Sequence, residues 1–171
     1  MTMEEAVKTG WSLLELDVPS FIKSGGIAMK FIVLHAGHAE FYFVPEPAMI
    51  NSGSEKRKLA EMIRARVRET SADVVYLVSD MWYGESSSKD AKTLKSIHEL
   101  GLPRAHALGL IVKREALLCK VQMRGHHHAM ILRWDYDRDK DDKITMGERI
   151  EMQGEWEGSM NFFKDVEIGN A

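Results

Sequence analysis

A single α+β domain built on a mostly antiparallel sheet is what this sequence predicts, and three observations predict it. The chain has 171 residues, enough to bury one core and too few for two large lobes. Apolar runs that alternate with period two occur near the start, in the middle and repeatedly near the end, while runs with helical spacing occupy residues 3–16 and 54–70. The last strand-like runs follow one another across short turns, with no helix-length crossover between them, as in an antiparallel meander. An N-terminal hairpin, a central strand and a C-terminal meander then pack against two or three helices. No internal repeat, low-complexity tract or linker divides the chain, so residues 1–171 read as one domain.

Residues 3–16 place Val7, Trp11 and Leu14 at helical spacing, with Leu13 and Leu16 widening the stripe. Pro19 is expected to interrupt that helix, Asp17-Val18-Pro19 to cap a second short turn through Ile22, and Gly25-Gly26 to close this helical segment of residues 1–25. Residues 27–34 and 39–44 are β-branched and aromatic and flank Ala36-Gly37-His38, which reads as a hairpin. Pro45 and Pro47 end its second strand, because proline cannot donate to a ladder.

Ser52 and Glu55 have the spacing of a capping box, and Leu59, Met62, Ile63 and Val67 follow on one face of a helix over 54–70. Lys56, Arg57, Lys58, Arg64, Arg66 and Arg68 make it basic against Glu55, Glu61 and Glu69, a run that reads as a solvated face. Residues 73–82 are apolar on both faces, with Val74, Tyr76, Val78 and Trp82 opposed to Val75, Leu77 and Met81, as in a strand covered on both sides.

Residues 84–104 form a long polar excursion, Gly84-Glu85-Ser86-Ser87-Ser88 and then a helix over 89–100 that Gly101 and Pro103 stop. Long excursions of this kind pass over binding surfaces or stay loose. After Gly109, Leu117, Cys119, Val121 and Met123 alternate with a wet face of Leu118, Lys120, Gln122 and Arg124. Gly125 turns the chain, residues 127–136 alternate again, and residues 143–152 pair back across a charged turn.

The net charge of −3 and an isoelectric point near 6.2 give no basic field that would favour a nucleic-acid partner. Cys119 is the lone cysteine, so no internal disulfide forms, and a reduced, cytoplasmic setting is expected. The N-terminal residues lack the charged and apolar pattern of a signal peptide, and no run approaches a membrane-spanning length.

The hairpin, Lys56 leading a basic helix, the strand ending Ser79-Asp80-Met81-Trp82, and Arg114-Glu115-Ala116-Leu117 opening a meander together resemble a family of small microbial and phage-type proteins. In that family the strand ends in Ser-Glu-Ala-Trp; here Asp80 stands for the glutamate and Met81 for the alanine. The resemblance spans roughly residues 27–165 and implies the fold boundaries; it implies no chemistry.

Two patterns point to metal ligands. Residues 137–148 match a calcium loop, with Asp137, Asp139 and Asp141 at its first, third and fifth positions, Ile144 at the eighth and Glu148 at the twelfth. Calcium needs six to eight converging oxygens, the last carboxylate bidentate. Asp142 stands where glycine belongs, the flanks read as strands, and Arg138, Lys140 and Lys143 dilute the field, so a solvated hairpin turn is the preferred reading. His126 and His128, in His126-His127-His128, would share a strand face and offer two imidazoles to zinc, with His35, His38, His106 or Asp80 as sources of a third ligand.

Asp80 beside Trp82 would have a raised pKa if its carboxyl lay against an aromatic face. Ser86-Ser87-Ser88-Lys89 and Lys8-Thr9-Gly10 echo penicillin-binding motifs in the wrong order and read as coincidence. No phosphate-cradling loop, nucleophile elbow or dinucleotide fingerprint occurs. The expectation is a non-enzymatic binding or accessory module that meets another macromolecule, a protein, through its sheet or the 84–104 excursion, with Trp82, Tyr83 and Trp156 as surface aromatics and no resident cofactor. The alternatives are a metal-dependent hydrolase on the histidine cluster and a calcium-binding hairpin.

Overall fold

The structure, a computed structural model, describes residues 1–155 and 161–163. One six-stranded antiparallel sheet is sandwiched between helices, so the α+β class read from the sequence is correct. Its strands are β1 (Lys30–His35), β2 (His38–Phe43), β3 (Val74–Glu85), β4 (Val112–Met123), β5 (His128–Arg138) and β6 (Ile144–Glu155), in the spatial order β2-β1-β3-β4-β5-β6. The helices are α1 (Met3–Ser24), α2 (Gly53–Glu69), α3 (Ala91–Leu100) and the short α4 (Leu102–Ala107).

The helix α1 begins at a reciprocal cap: the Glu5 amide donates to the Thr2 hydroxyl at 3.2 Å and the Thr2 amide to the Glu5 carboxylate at 2.7 Å. Pro19 does not end this helix, against expectation; α1 runs through it to Gly25, whose φ of 80° makes the left-handed cap. Glu15 and Pro19 are both exposed, so the carbonyl that the proline leaves without its helical donor faces water. Beyond the proline, Phe21 is wholly buried and meets the Tyr136 ring edge-on at 4.7 Å, and Asp17 pairs with Lys30 at 2.5 Å. Tertiary packing outweighs the lost bond.

Ala36 (φ 47°) and Gly37 (φ 81°) form the two-residue turn of the predicted hairpin, the pair of left-handed residues that such a turn needs. The Asp73 carboxylate accepts from the Ala36 amide at 2.7 Å and fixes that turn to the start of β3. A 3₁₀ turn at Pro47–Ile50, not anticipated, leads to α2, whose cap Ser52 accepts from the Glu55 amide at 3.1 Å.

The double-sided apolar reading of β3 holds from Val74 to Val78, with Val74, Tyr76 and Val78 packed under α1 and Val75 and Leu77 under α2; it fails at Met81, which is exposed, and at Trp82, which is half-buried, because the covering helices do not reach that end. Tyr76 sits at the centre, donating to the Ala6 carbonyl at 3.1 Å. Two readings of polar faces are corrected. Arg64 is buried, bonded to Glu61 and to the Asn161 carbonyl at 2.8 Å, so α2 is not basic on a solvated face alone. The face of β4 read as wet is largely dry: Leu118 and Gln122 are buried, Gln122 beneath residues 161–163. The helix over the excursion does stop where read: α3 ends at Leu100, capped by Gly101, and Pro103 lies in the first turn of a separate helix, α4, where a missing amide costs nothing.

Candidate functional site

The residues nominated as metal ligands are spread apart. His126 lies in the β4–β5 turn, its amide donating to the Met123 carbonyl at 3.2 Å, while His128 opens β5; both are exposed, and they do not share a strand face. His35 is engaged at the hairpin turn, its Nδ1 2.9 Å from the Ser71 carbonyl, and His106 on α4 lies 3.3 Å from the Ile111 carbonyl. His38 is exposed at the start of β2. Among the described residues, no three His, Cys, Asp or Glu side chains come together as a metal-holding group.

The 137–148 segment is a hairpin turn between β5 and β6, as its strand-like flanks suggested. The Asp139 carboxylate accepts from the amides of Asp141 (2.8 Å) and Lys143 (2.9 Å), which folds the loop onto its own backbone. Asp142 takes the left-handed conformation (φ 59°) in the place of a glycine. Asp137 pairs with Thr145 and Glu148 lies further along β6, so Asp137, Asp139, Asp141 and Glu148 do not form a cage.

Asp80 faces Tyr136, not Trp82. The Tyr136 hydroxyl donates to its carboxylate at 2.7 Å, beneath the end of α1, where Arg138 donates to the Gly25 carbonyl at 2.9 Å. Burial raises the Asp80 pKa against the pull of the Tyr136 hydroxyl and the Arg138 charge. A raised carboxyl pKa means that the fold favours the protonated form. Its contribution to stability is full below the unfolded value of about 4 and is lost as pH rises through the folded value. Asp80→Asn keeps an acceptor for Tyr136 and removes the charge. The variant is expected to match or exceed the parent in stability at neutral pH and to lose the decline just above pH about 4, as thermal melts across that range would read.

The remaining motif matches have structural uses. Gly10 of Lys8-Thr9-Gly10 lies where α1 crosses the sheet; a Cβ there would stand 2.6 Å from Leu132 Cδ1. Ser86 and Ser88 accept from the amides of Ser88 and Asp90, shaping the turn into α3. Cys119 is buried, and burial pushes its thiol pKa up, so it is unreactive.

What the structure does assemble lies at one end of the sheet. β1 begins at Lys30, opposite Val78, whereas β3 runs on to Glu85, so β3 beyond Val78 is in register with β4 alone. Residues 26–29 part from β3 there, and a cavity of about 350 Å³ opens beside the split. Its walls are apolar, from Met29, Ile50, Leu77, Met81 and Leu118. Lys56, in the first turn of α2, and Lys120, on β4, also line it; burial lowers the Lys120 pKa. A second space of about 570 Å³ continues the wedge between residues 27–29 and Ser79-Asp80.

The same end carries exposed apolar side chains: Met81 on β3, Leu94 on α3, Leu102 on α4, Leu108, and Val112 on β4. Leu94 belongs to an amphipathic helix none of whose residues is buried. The aromatics expected at the surface are more tightly held. Lys113 lies over Trp82 at 5.8 Å, while Arg133 lies over Tyr83 at 4.4 Å and the Tyr83 hydroxyl donates to Asp135 at 3.2 Å. Trp156 lies outside the described residues. Sequence periodicity carries the central strand to residue 82 but does not say which strand pairs with it, so the unpartnered stretch is not readable from it. Compared with protein-family models, with curated proteins and with solved structures, the chain matches none, so its role must be argued from its own residues.

Proposed function

We propose that this protein is a non-enzymatic binding module that docks another protein on the end of its sheet where β3 outruns β1. A reduced, cytoplasmic setting is the compartment we propose for it, on the strength of a lone buried cysteine. The observation that carries the reading is an unpaired length of strand beside an apolar cavity that the exposed Met81 lines, at a strand end that the exposed Leu102 and Val112 also adjoin. Exposed apolar side chains beside an unpaired strand edge mark interaction sites, whereas scattered single residues are ordinary. The excursion from β3 to β4 adds the exposed Leu94 and Leu102, which gives α3 a use: a helix with no fully buried residue contributes little to its own domain's stability.

Calcium and zinc readings have less support, because the Asp139 carboxylate is engaged by its own loop and the histidines diverge. The test is a photoreactive residue placed at Met81 or, as a control, at the exposed Gln153 of β6, with irradiation in living cells. Discrete adducts from position 81 and none from 153 are expected. No adduct at 81, or the same adducts at both, would overturn the reading.

A further inference from the structure

We infer that the occupant of this site is an extended acidic and apolar peptide segment of a partner protein, added as a strand along residues 80–85 of β3. The inference rests on the docking reading above and names what docks. Three observations converge on it.

The first is the edge itself. Residues 80–85 are in register with β4 on one side, and among the described residues no main-chain hydrogen bond to a turn, loop or neighbouring strand is made on the other. Unpaired strand edges invite pairing, and proteins blunt those they do not use with charge, proline or a bulge. The outer strands of this sheet carry such devices. The β1–β2 ladder shifts register between Val33 and Leu34, the β5–β6 ladder shifts between Trp134 and Tyr136, and β6 bears Glu148, Arg149 and Glu151. By contrast, the β3–β4 register runs unbroken to Glu85, and Asp80-Met81-Trp82-Tyr83-Gly84-Glu85 contains no proline and no lysine. Its two carboxylates are engaged, Asp80 by Tyr136 and Glu85 by Arg114 at 2.8 Å.

The second is the cavity. A strand laid along this edge occupies the place that β1 would have filled had it continued, and its alternate side chains point toward the α2 face. There the 350 Å³ space among Met29, Ile50, Leu77, Met81 and Leu118 receives a bulky apolar side chain. The wedge between residues 27–29 and Ser79-Asp80 provides the room for its backbone.

The third is charge. Lys56 and Lys120 line the cavity with one carboxylate, Asp80, whose Oδ1 already accepts from the Tyr136 hydroxyl, and Lys56 stands in the first turn of α2, where the helix dipole also favours an anion. Glu46 lines only the adjoining wedge, which Asp80 also borders. The segment that fits is therefore extended, with a large aliphatic or aromatic residue at the cavity and a carboxylate beside it.

The experiment is selection of random displayed peptides of roughly ten residues, a strand's length, against the intact protein, followed by synthesis of the consensus peptide as the probe. The expected consensus joins a bulky apolar residue to Asp or Glu. The peptide should slow hydrogen exchange at residues 80–85, and N-methylation of its alternate amides should weaken binding about tenfold or more, by removing ladder hydrogen bonds. Lys56→Glu, a change at an exposed side chain, should weaken it about three- to tenfold, with recovery when the peptide carboxylate is replaced by lysine. Failure to select any peptide, N-methylated peptide bound as tightly as the parent, or protection confined to α3 and α4 would each overturn strand addition. An adduct from position 81 whose partner leaves exchange at residues 80–85 unchanged would sink this inference and leave the docking reading standing; absence of the adduct would sink the docking reading.

Discussion

Replacing Phe21 by alanine is expected to lower the unfolding free energy by about 3–5 kcal/mol, the range for deleting a fully buried aromatic ring. The side chain is two residues past Pro19, in the last turns of α1, and its ring meets Tyr136 edge-on at 4.7 Å. If the helix broke at the proline, Phe21 would sit in a loose turn and its loss would cost less than about 1 kcal/mol, as surface changes do. Urea denaturation followed by circular dichroism separates the two. Pro19→Ala supplies the companion measurement: it restores an amide to an exposed part of the helix and is expected to stabilise or leave stability unchanged. A Phe21→Ala variant as stable as the parent would show that this end of α1 contributes nothing to the core.

The residues around Pro19 show why sequence periodicity describes the fold only in part. Val7, Trp11 and Leu14 gave the stripe of α1, and Val74 to Val78 gave the two buried faces of β3, because each pattern reports the face it buries. Local rules failed where a distant partner decides. Pro19 read as a breaker, yet it is carried through by the burial of Phe21, whereas the stop read at Gly101 and Pro103 stands, with a new helix starting at once beyond it. Arg64 and Gln122 read as wet because their partner, Asn161, is distant in sequence.

By its length and polarity the 84–104 excursion reads as one that passes over a binding surface or stays loose, and the exposed Leu94 and Leu102 of the proposed docking end lie in it. The unpaired stretch of β3 was not marked, since pairing belongs to two strands and periodicity describes one. In the other direction, the spacing of Asp137, Asp139, Asp141 and Glu148 matched a calcium loop because a carboxylate that ties its own loop and one that ligates a metal occupy the same sequence positions. The difference is the direction of Asp139, toward the amides of Asp141 and Lys143.

Phe162→Ala is the second large effect expected, again about 3–5 kcal/mol by denaturation. Its ring is wholly buried against Phe31, centroids 5.8 Å apart and nearly perpendicular, on the α2 face of the sheet. Gln122 fixes the segment: its Oε1 accepts from the Phe162 amide at 2.8 Å and its Nε2 donates to the Asn161 side chain at 3.0 Å. Gln122→Met should therefore cost about 1–3 kcal/mol, by leaving those groups without this partner in a dry place. The Phe162 amide is held by Gln122, opposite Val75, and its ring reaches Phe31, opposite Leu77; neither Phe162 nor Phe31 lines the cavity, and the free edge lies beyond Val78 toward Glu85. Under conditions where Phe162→Ala remains folded, peptide binding at residues 80–85 should be unchanged, whereas Lys56→Glu should weaken binding with little loss of stability. If Phe162→Ala weakened binding as much as it weakened folding, the two ends of the α2 face would be one unit, and the cavity could not be treated as a site separate from the core.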